Sequence, residues 1–195
     1  PLPAGLDTRA AMAVGTAGFT AMLAVMALEK QGIKDGPVLV TGAAGGVGLA
    51  ALQIAKAAGA RVIATAGSPA RRRLLTALGA EHVFDSRALN FADEAHAVTG
   101  GGVDVVLNSL AGEAMERSID CLRSFGRFIE LGKRDFFEDT RIGLRPFRRN
   151  LTYFGVDLDQ VLAERPDVLL QINCWCYSTF KATALVDVKS TKKTL

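Results

Sequence analysis

The feature that most constrains this chain is a change of period repeated along most of its length. Short apolar runs rich in β-branched residues alternate with stretches whose apolar residues recur at helical spacing. The runs are "PVLVTG", "RVIATA", "HVFD", "VDVVLNSL", "GRFIELG" and "LTYFGVDL". Between them lie "GVGLAALQIAKAAG", "SPARRRLLTALG", "FADEAHAVTGG" and "AGEAMERSIDCLRSFG", each predicted to be a helix. The punctuation supports this reading. Ser68 stands as an N-cap, Pro69 at a first helical position, and Gly59 and Gly79 as stops. A strand that returns through a helix to a neighbouring strand must run parallel to it, with a right-handed crossover. The expected fold is α/β, a doubly wound parallel sheet (Rossmann) in a single domain.

Ahead of the first strand, residues 7–14 read as a short helix opened by Asp7, and residues 16–31 as a longer apolar helix ending at Gly32. The latter, "AMAVGTAGFTAMLAVMAL", is too weakly hydrophobic for a membrane span and has no basic flank, so a buried helix is expected and no targeting signal is read. The expected organisation is residues 1–36 as helices packing on the core, 37–170 as the nucleotide-binding domain, and 171–195 as a segment of unassigned role. Within that last segment "TALVDV" reads as a strand and 189–195 as a polar tail.

In open α/β sheets the first strand–helix turn receives phosphates. Aligned on G-x-G-x-x-G, this turn reads Ala43-Ala44-Gly45-Gly46-Val47-Gly48, with alanine at the first glycine position. Gly45 would let the backbone approach a pyrophosphate, Gly48 would let the helix pack closely on the sheet, and the helix start would offer free N–H groups. The end of the second strand is equally informative. An NAD site carries an acid there for the ribose 2′-hydroxyl, whereas this chain has "TAGS", no Asp or Glu from Arg61 to Ala80, and then Arg71, Arg72 and Arg73. Ser68 with Arg71 and Arg72 would suit a 2′-phosphate, so the expected cofactor is NADPH. The competing reading is an arginine-rich helix face that is merely solvated.

Charge excludes little. The net charge of +3 does not call for nucleic acid, although basic residues cluster at 71–73, 145–149 and 189–193. Cys121, Cys174 and Cys176 have no redox or zinc spacing, and with only His82 and His96 present no zinc set is expected. Reduced thiols in a cytoplasmic protein are the simplest reading, with Trp175 and Tyr177 as buried hydrophobics.

Several longer words are specific: "AAGGVGLAALQIAKAAGA", "ATAGSPARRRLL", "LGAEHVFDSRALNFADE", "TGGGVDVVLNSLAGEAMERSI" and "GRFIELGKRDFFEDTRIGLRPFRRNLTYFGVDLDQV". From about Val38 to Leu169 they resemble the nucleotide-binding half of enoyl reductase domains of modular polyketide synthases, zinc-independent members of the medium-chain dehydrogenase/reductase superfamily. The resemblance implies NADPH-dependent reduction of a trans-2-enoyl thioester on an acyl carrier protein, with hydride going to the β-carbon and a proton to the α-carbon. By position it implies catalytic roles for Lys133 and Asp157. A lysine of lowered pKa would serve as acid, and a surface ion pair is the alternative. It implies nicotinamide-side roles for Thr20, Asn108, Ser109, Leu110 and Gly132, and a place beside the adenine for Arg87. The "RPFRRN" run would contact pantetheine phosphate or a partner domain, or simply be solvated.

The opening "PLPAGLDTRAAMAVGTAGFTAMLAVMALEKQGI" looks more like acryloyl-CoA reductases of the same superfamily, and "QINCWCYSTFKATALVDVKSTKKTL" matches no familiar pattern. Family members carry a GroES-like β domain that walls the substrate cleft. These residues do not include one, so weak turnover by this chain alone is expected. Neighbouring synthase domains or self-association are the expected partners, without nucleic acid or membrane. The alternatives are a quinone or acryloyl-CoA reductase, or a non-catalytic NADP-binding fragment.

Overall fold

Hydrophobic runs buried on both faces are what a parallel sheet requires, and in the computed structural model, which describes residues 36–165 and 167, the runs form one. Its strands are β1 (Pro37–Val40), β2 (Arg61–Thr65), β3 (His82–Phe84), β4 (Val103–Asn108), β5 (Leu122–Glu130) and β6 (Thr152–Gly155). They lie in the order β3-β2-β1-β4-β5-β6, with every pairing parallel. The helices are α1 (Gly46–Ala57), α2 (Pro69–Ala77), α3 (Phe91–Thr99), α4 (Glu113–Asp120), α5 (Arg134–Phe137) and α6 (Leu158–Glu164), with a 3-10 turn at Arg145–Arg149. The doubly wound fold is as expected.

The two-residue period of the strands divides the core. Val38, Val40, Val62, Ala64, Val105 and Leu107 face α1 and α2, whereas Leu39, Ile63, Val106 and Phe128 face α3 and α4. After β3 the chain crosses back over β1 to form β4, so the carboxyl ends of β1 and β4 flank the point where the winding reverses. This is where such sheets open a ligand crevice.

Three boundaries differ from expectation. The helix predicted over "AGEAMERSIDCLRSFG" stops at Asp120, and β5 starts at Leu122. Cys121 and Leu122 are fully buried, and the Val103 amide donates to the Cys121 carbonyl at 2.8 Å, drawing the chain into the sheet. The helix end is closed from a distance. The Arg149 guanidinium donates to the carbonyls of Ile119, Asp120 and Leu122 at 3.3, 3.3 and 2.5 Å. Residues 123–126 then bulge between the Val103–Leu122 and Val105–Arg127 pairs, with Phe125 at φ 64°. The strand predicted over "LTYFGVDL" ends at Gly155, because Asp157 caps α6 by accepting the Asp159 amide at 3.1 Å. Finally, α5, α6 and the 3-10 turn were not expected.

Among the described residues, no helix is long and apolar enough to cross a membrane. The helices expected at 7–14 and 16–31, Thr20, the "TALVDV" strand, Cys174 to Tyr177 and the tail lie outside the described residues. Of the three expected parts, 171–195 and all of 1–36 except Gly36 thus lie outside the described residues.

Candidate functional site

The glycine turn shows a different spacing from the one the alignment assumed. Gly42 makes the turn, at φ +56°, and a Cβ there would lie 2.6 Å from Ser109 Oγ. Ala43, at the supposed first glycine position, is buried and donates its amide to the Thr65 carbonyl at 2.9 Å. The working pattern is Gly42, Gly45 and Gly48, each three residues apart. The sequence signal for Gly42 was the G-x-x-G-x-x-G spacing. A Cβ on Gly48 would sit 2.5 Å from Ala43 Cα, so the helix packs on the turn at glycine distance. A Cβ on Gly45 would meet only the Gly42 carbonyl, at 3.4 Å, so nothing in the chain itself demands its smallness. Gly45 and Gly46 are exposed, Ala44 and Val47 half-buried. No side chain caps α1 and no acid stands in its first turn. Its first amides have no intrahelical acceptor, so an anion can be received there.

Beside this turn, β2 ends at Thr65, whose hydroxyl accepts the Gly42 amide at 3.2 Å. Ser68 caps α2, its Oγ accepting the Arg71 amide at 3.4 Å. The arginines are not equivalent. Arg71 is exposed, whereas Arg72 is paired with Asp85 at 2.8 Å and also donates to the Ala66 carbonyl at 3.1 Å. Asp85 also accepts the Arg87 amide at 2.9 Å, and that bond, with Arg72 beside it, holds its carboxyl below the usual range. Arg87 drapes over Gly67, where a Cβ would lie 3.0 Å from its Nε. Ser68, Arg71, Arg72 and Arg87 thus share one end of β2, joined there by an acid from beyond residues 61–80, Asp85.

The third part lies at the ends of β1, β4 and β5. Asn108 is fully buried. Its Oδ1 accepts Thr41 Oγ1 at 3.0 Å and the Leu110 amide at 3.3 Å, while its Nδ2 donates to the Leu110 carbonyl and to Glu130 Oε2, both at 2.7 Å. Ser109 is exposed and donates its hydroxyl to the Thr41 carbonyl at 3.0 Å. The Gly132 amide donates to Glu130 Oε1 at 2.6 Å. Glu130, 1% exposed, was not among the sequence candidates, and burial pushes its carboxyl up to about 7. Its signal was an acid directly after the apolar pair Phe128-Ile129, at the end of the run "GRFIELG".

Just beyond, Lys133 Nζ pairs with Asp157 Oδ1 at 2.8 Å and also with Asp159, the second acid of "VDLD". Both hydrogen bonds raise the lysine's pKa, Asp157 foremost, and Asp157 is lowered in return. The expectation of a lysine with lowered pKa is therefore corrected: two carboxylates at an exposed rim stabilise the ammonium. In "RPFRRN", Arg145 and Arg148 are exposed, while Arg149 is taken up in capping α4. Cys121 is buried, and burial raises its thiol to about 12, which leaves it unreactive.

The chain as a whole has known relatives. Residues 46–170 match the family model described as zinc-binding dehydrogenase. Among curated proteins, a mycocerosic acid synthase-like polyketide synthase of Mycolicibacterium smegmatis is 45% identical over 177 residues, 90% of this chain. The chain spans about 8% of that relative's length. Among solved structures, the nucleotide-binding subdomain of the enoylreductase domain of PpsC from Mycobacterium tuberculosis is 45% identical, with a TM-score of 0.74. That match covers 84% of this chain and 95% of the subdomain. The quinone oxidoreductase from Thermus thermophilus, solved also in complex with NADPH, is 34% identical with a TM-score of 0.72, covering 88% of this chain and 54% of that one. Among the described residues, no group of three or more His, Cys, Asp or Glu side chains could hold a metal ion, so they offer no site that fits the zinc of the family's description.

Proposed function

Since the chain belongs to the zinc-binding dehydrogenase family, and within it to the nucleotide-binding subdomains of polyketide synthase enoyl reductases, we propose that it binds NADPH and serves the reduction of a trans-2-enoyl thioester carried on an acyl carrier protein. The observation that carries this reading is the pairing of an uncapped, glycine-lined helix start with a β2 end that presents Ser68, Arg71 and Arg87 and no free acid.

The amides of Ala44, Gly46, Val47 and Gly48 receive the pyrophosphate, and Gly45, whose own amide donates to the Gly42 carbonyl at 3.0 Å, leaves room for its close approach. Ser68, Arg71 and Arg87 hold the 2′-phosphate, with Arg72 contributing from its pair with Asp85. Asn108, Ser109, Leu110 and Gly132 shape the nicotinamide end. Bound NADPH supplies a hydride to the β-carbon of the substrate. Lys133, kept protonated by Asp157 and Asp159, places a fixed positive charge where the thioester oxygen gains negative charge. Its raised pKa makes it a stabiliser of that charge first and a weak acid second. Neighbouring synthase domains supply the carrier and the remainder of the cleft, in a cytoplasmic setting.

The test is to give the natural full-length protein 4-deuterated NADPH and a trans-2-butenoyl pantetheine thioester, and to locate deuterium by mass spectrometry. Deuterium at the β-carbon is expected. Lys133→Ala should lower kcat at least about tenfold, as loss of a charge stabiliser does, with NADPH affinity unchanged. Reduction of a quinone but not the thioester, or full turnover by Lys133→Ala, contradicts the proposal.

A further inference from the structure

Glu130 has no part in the roles above, yet it sits where the carboxyl ends of β1, β4 and β5 meet. Both of its partners are donors. Gly132 offers a peptide N–H at 2.6 Å, and Asn108 offers its amino group at 2.7 Å. The orientation of Asn108 is fixed by Leu110, whose amide faces Oδ1 and whose carbonyl faces Nδ2. A group with two acceptors fits this position, and an ionised carboxylate is the side chain that supplies two. The bonds continue from Asn108 to Thr41, whose hydroxyl accepts the Ser109 amide at 2.8 Å. One chain of hydrogen bonds thus joins the carboxyl ends of β1, β4 and β5 to the turn before Lys133. A Cβ on Gly132 would lie 2.8 Å from Glu130 Oε1, so the turn closes directly on the carboxylate.

Resting on the NADPH reading, we infer that Glu130 is a positioning residue of the cofactor site: its two oxygens tie the Gly132 turn to Asn108, and its charge state governs how firmly the site holds NADPH. Protonation replaces one acceptor with an O–H that faces a donor, and the turn loosens. The other titratable groups facing it are Asp135 on α5 and Tyr153 on β6. Asp135 opposes ionisation of Glu130, and Tyr153 is itself pushed up to about 12 by burial and by both carboxylates. Ionisation of Glu130 is thus placed near neutrality, where a modest change of pH moves it.

The experiment compares the chain with Glu130→Gln from pH 5.5 to 8.5, reading NADPH affinity by nicotinamide fluorescence and the Gly132 amide by NMR in the unliganded protein. The Gly132 resonance should titrate in the wild type and stay fixed in the variant. Wild-type affinity should tighten relative to the variant as pH rises, by about tenfold at the upper end, the scale of one hydrogen bond to a charged group. At the lower end the two should coincide, which also shows the variant is folded. A Gly132 amide that does not titrate overturns the inference, as does an affinity that falls on ionisation through simple repulsion of the anionic cofactor. If neither form binds NADPH while Gly132 still titrates, the cofactor reading is what has failed, and the inference falls with it.

Discussion

Asp85 already neutralises part of the charge that the arginine run offers a phosphate. Arg72 is paired with it, whereas Arg87 lies over Gly67 on a side chain free of that pairing. Arg87→Ala is therefore expected to weaken NADPH binding about tenfold, the worth of one charge-assisted contact, and to leave NADH unaffected. Asp85→Asn should tighten NADPH a few-fold by releasing Arg72. Fluorescence titration of each variant decides, and equal losses for both cofactors would remove the arginines from the phosphate site. Glu130 carries a consequence for stability as well. Its carboxyl titrates at about 7 in the folded protein against an ordinary 4.5, so the folded state binds the extra proton between those values. The stability it contributes is complete below pH 4.5 and is lost as pH rises to 7, a change of about 3 kcal/mol. Glu130→Gln should flatten that part of the profile in urea unfolding at pH 5 and pH 8. Identical slopes would mean that Glu130 is ionised throughout. The ionised form that serves the site is thus the one the fold tolerates least. Little of this was legible in the sequence, because Asp85 meets Arg72 of α2 and Glu130 meets Asn108 of β4 only once the chain is folded; the bonds to the Arg87 and Gly132 amides alone are local.

At the scale of elements, legibility follows the range of the interaction that sets each boundary. The start of α2 was readable because Ser68 and Pro69 act within one turn, and so was the end of α1, where Gly59 takes φ +87°. The end of α4 was not, since Arg149 and Val103, from elsewhere in the chain, take up the carbonyls of Ile119 and Cys121. Its start is similar: the Gly112 amide is held by both oxygens of buried Asp135, at 3.2 Å each. The glycine turn was readable as a turn, but its division of labour was not. Gly42 bends the chain, Gly48 admits the helix, and Gly45 is left open to a ligand. Gly48→Ala should accordingly destabilise the fold by about 1–3 kcal/mol, because the clash is with backbone. Gly45→Ala should leave the melting temperature nearly unchanged and weaken cofactor binding. Thermal unfolding followed by circular dichroism separates the two, and comparable losses of stability would contradict the assignment.

For the molecule as a whole, the parallel, doubly wound sheet was legible because apolar strands alternating with helical crossovers admit few arrangements; the order β3-β2-β1-β4-β5-β6 comes from the structure. The same arrangement gathers three sets of residues along one edge of the sheet: the glycine turn after β1, the arginines after β2, and the buried network at the ends of β1, β4 and β5. The central claim is that this edge binds NADPH and selects it by its 2′-phosphate. The most direct test is an equilibrium titration of the chain with NADPH and with NADH, followed by nicotinamide fluorescence. The account predicts NADPH to bind at least about tenfold more tightly, as a phosphate held by charge-assisted hydrogen bonds requires. Equal affinity for the two cofactors, or binding of neither, would contradict it.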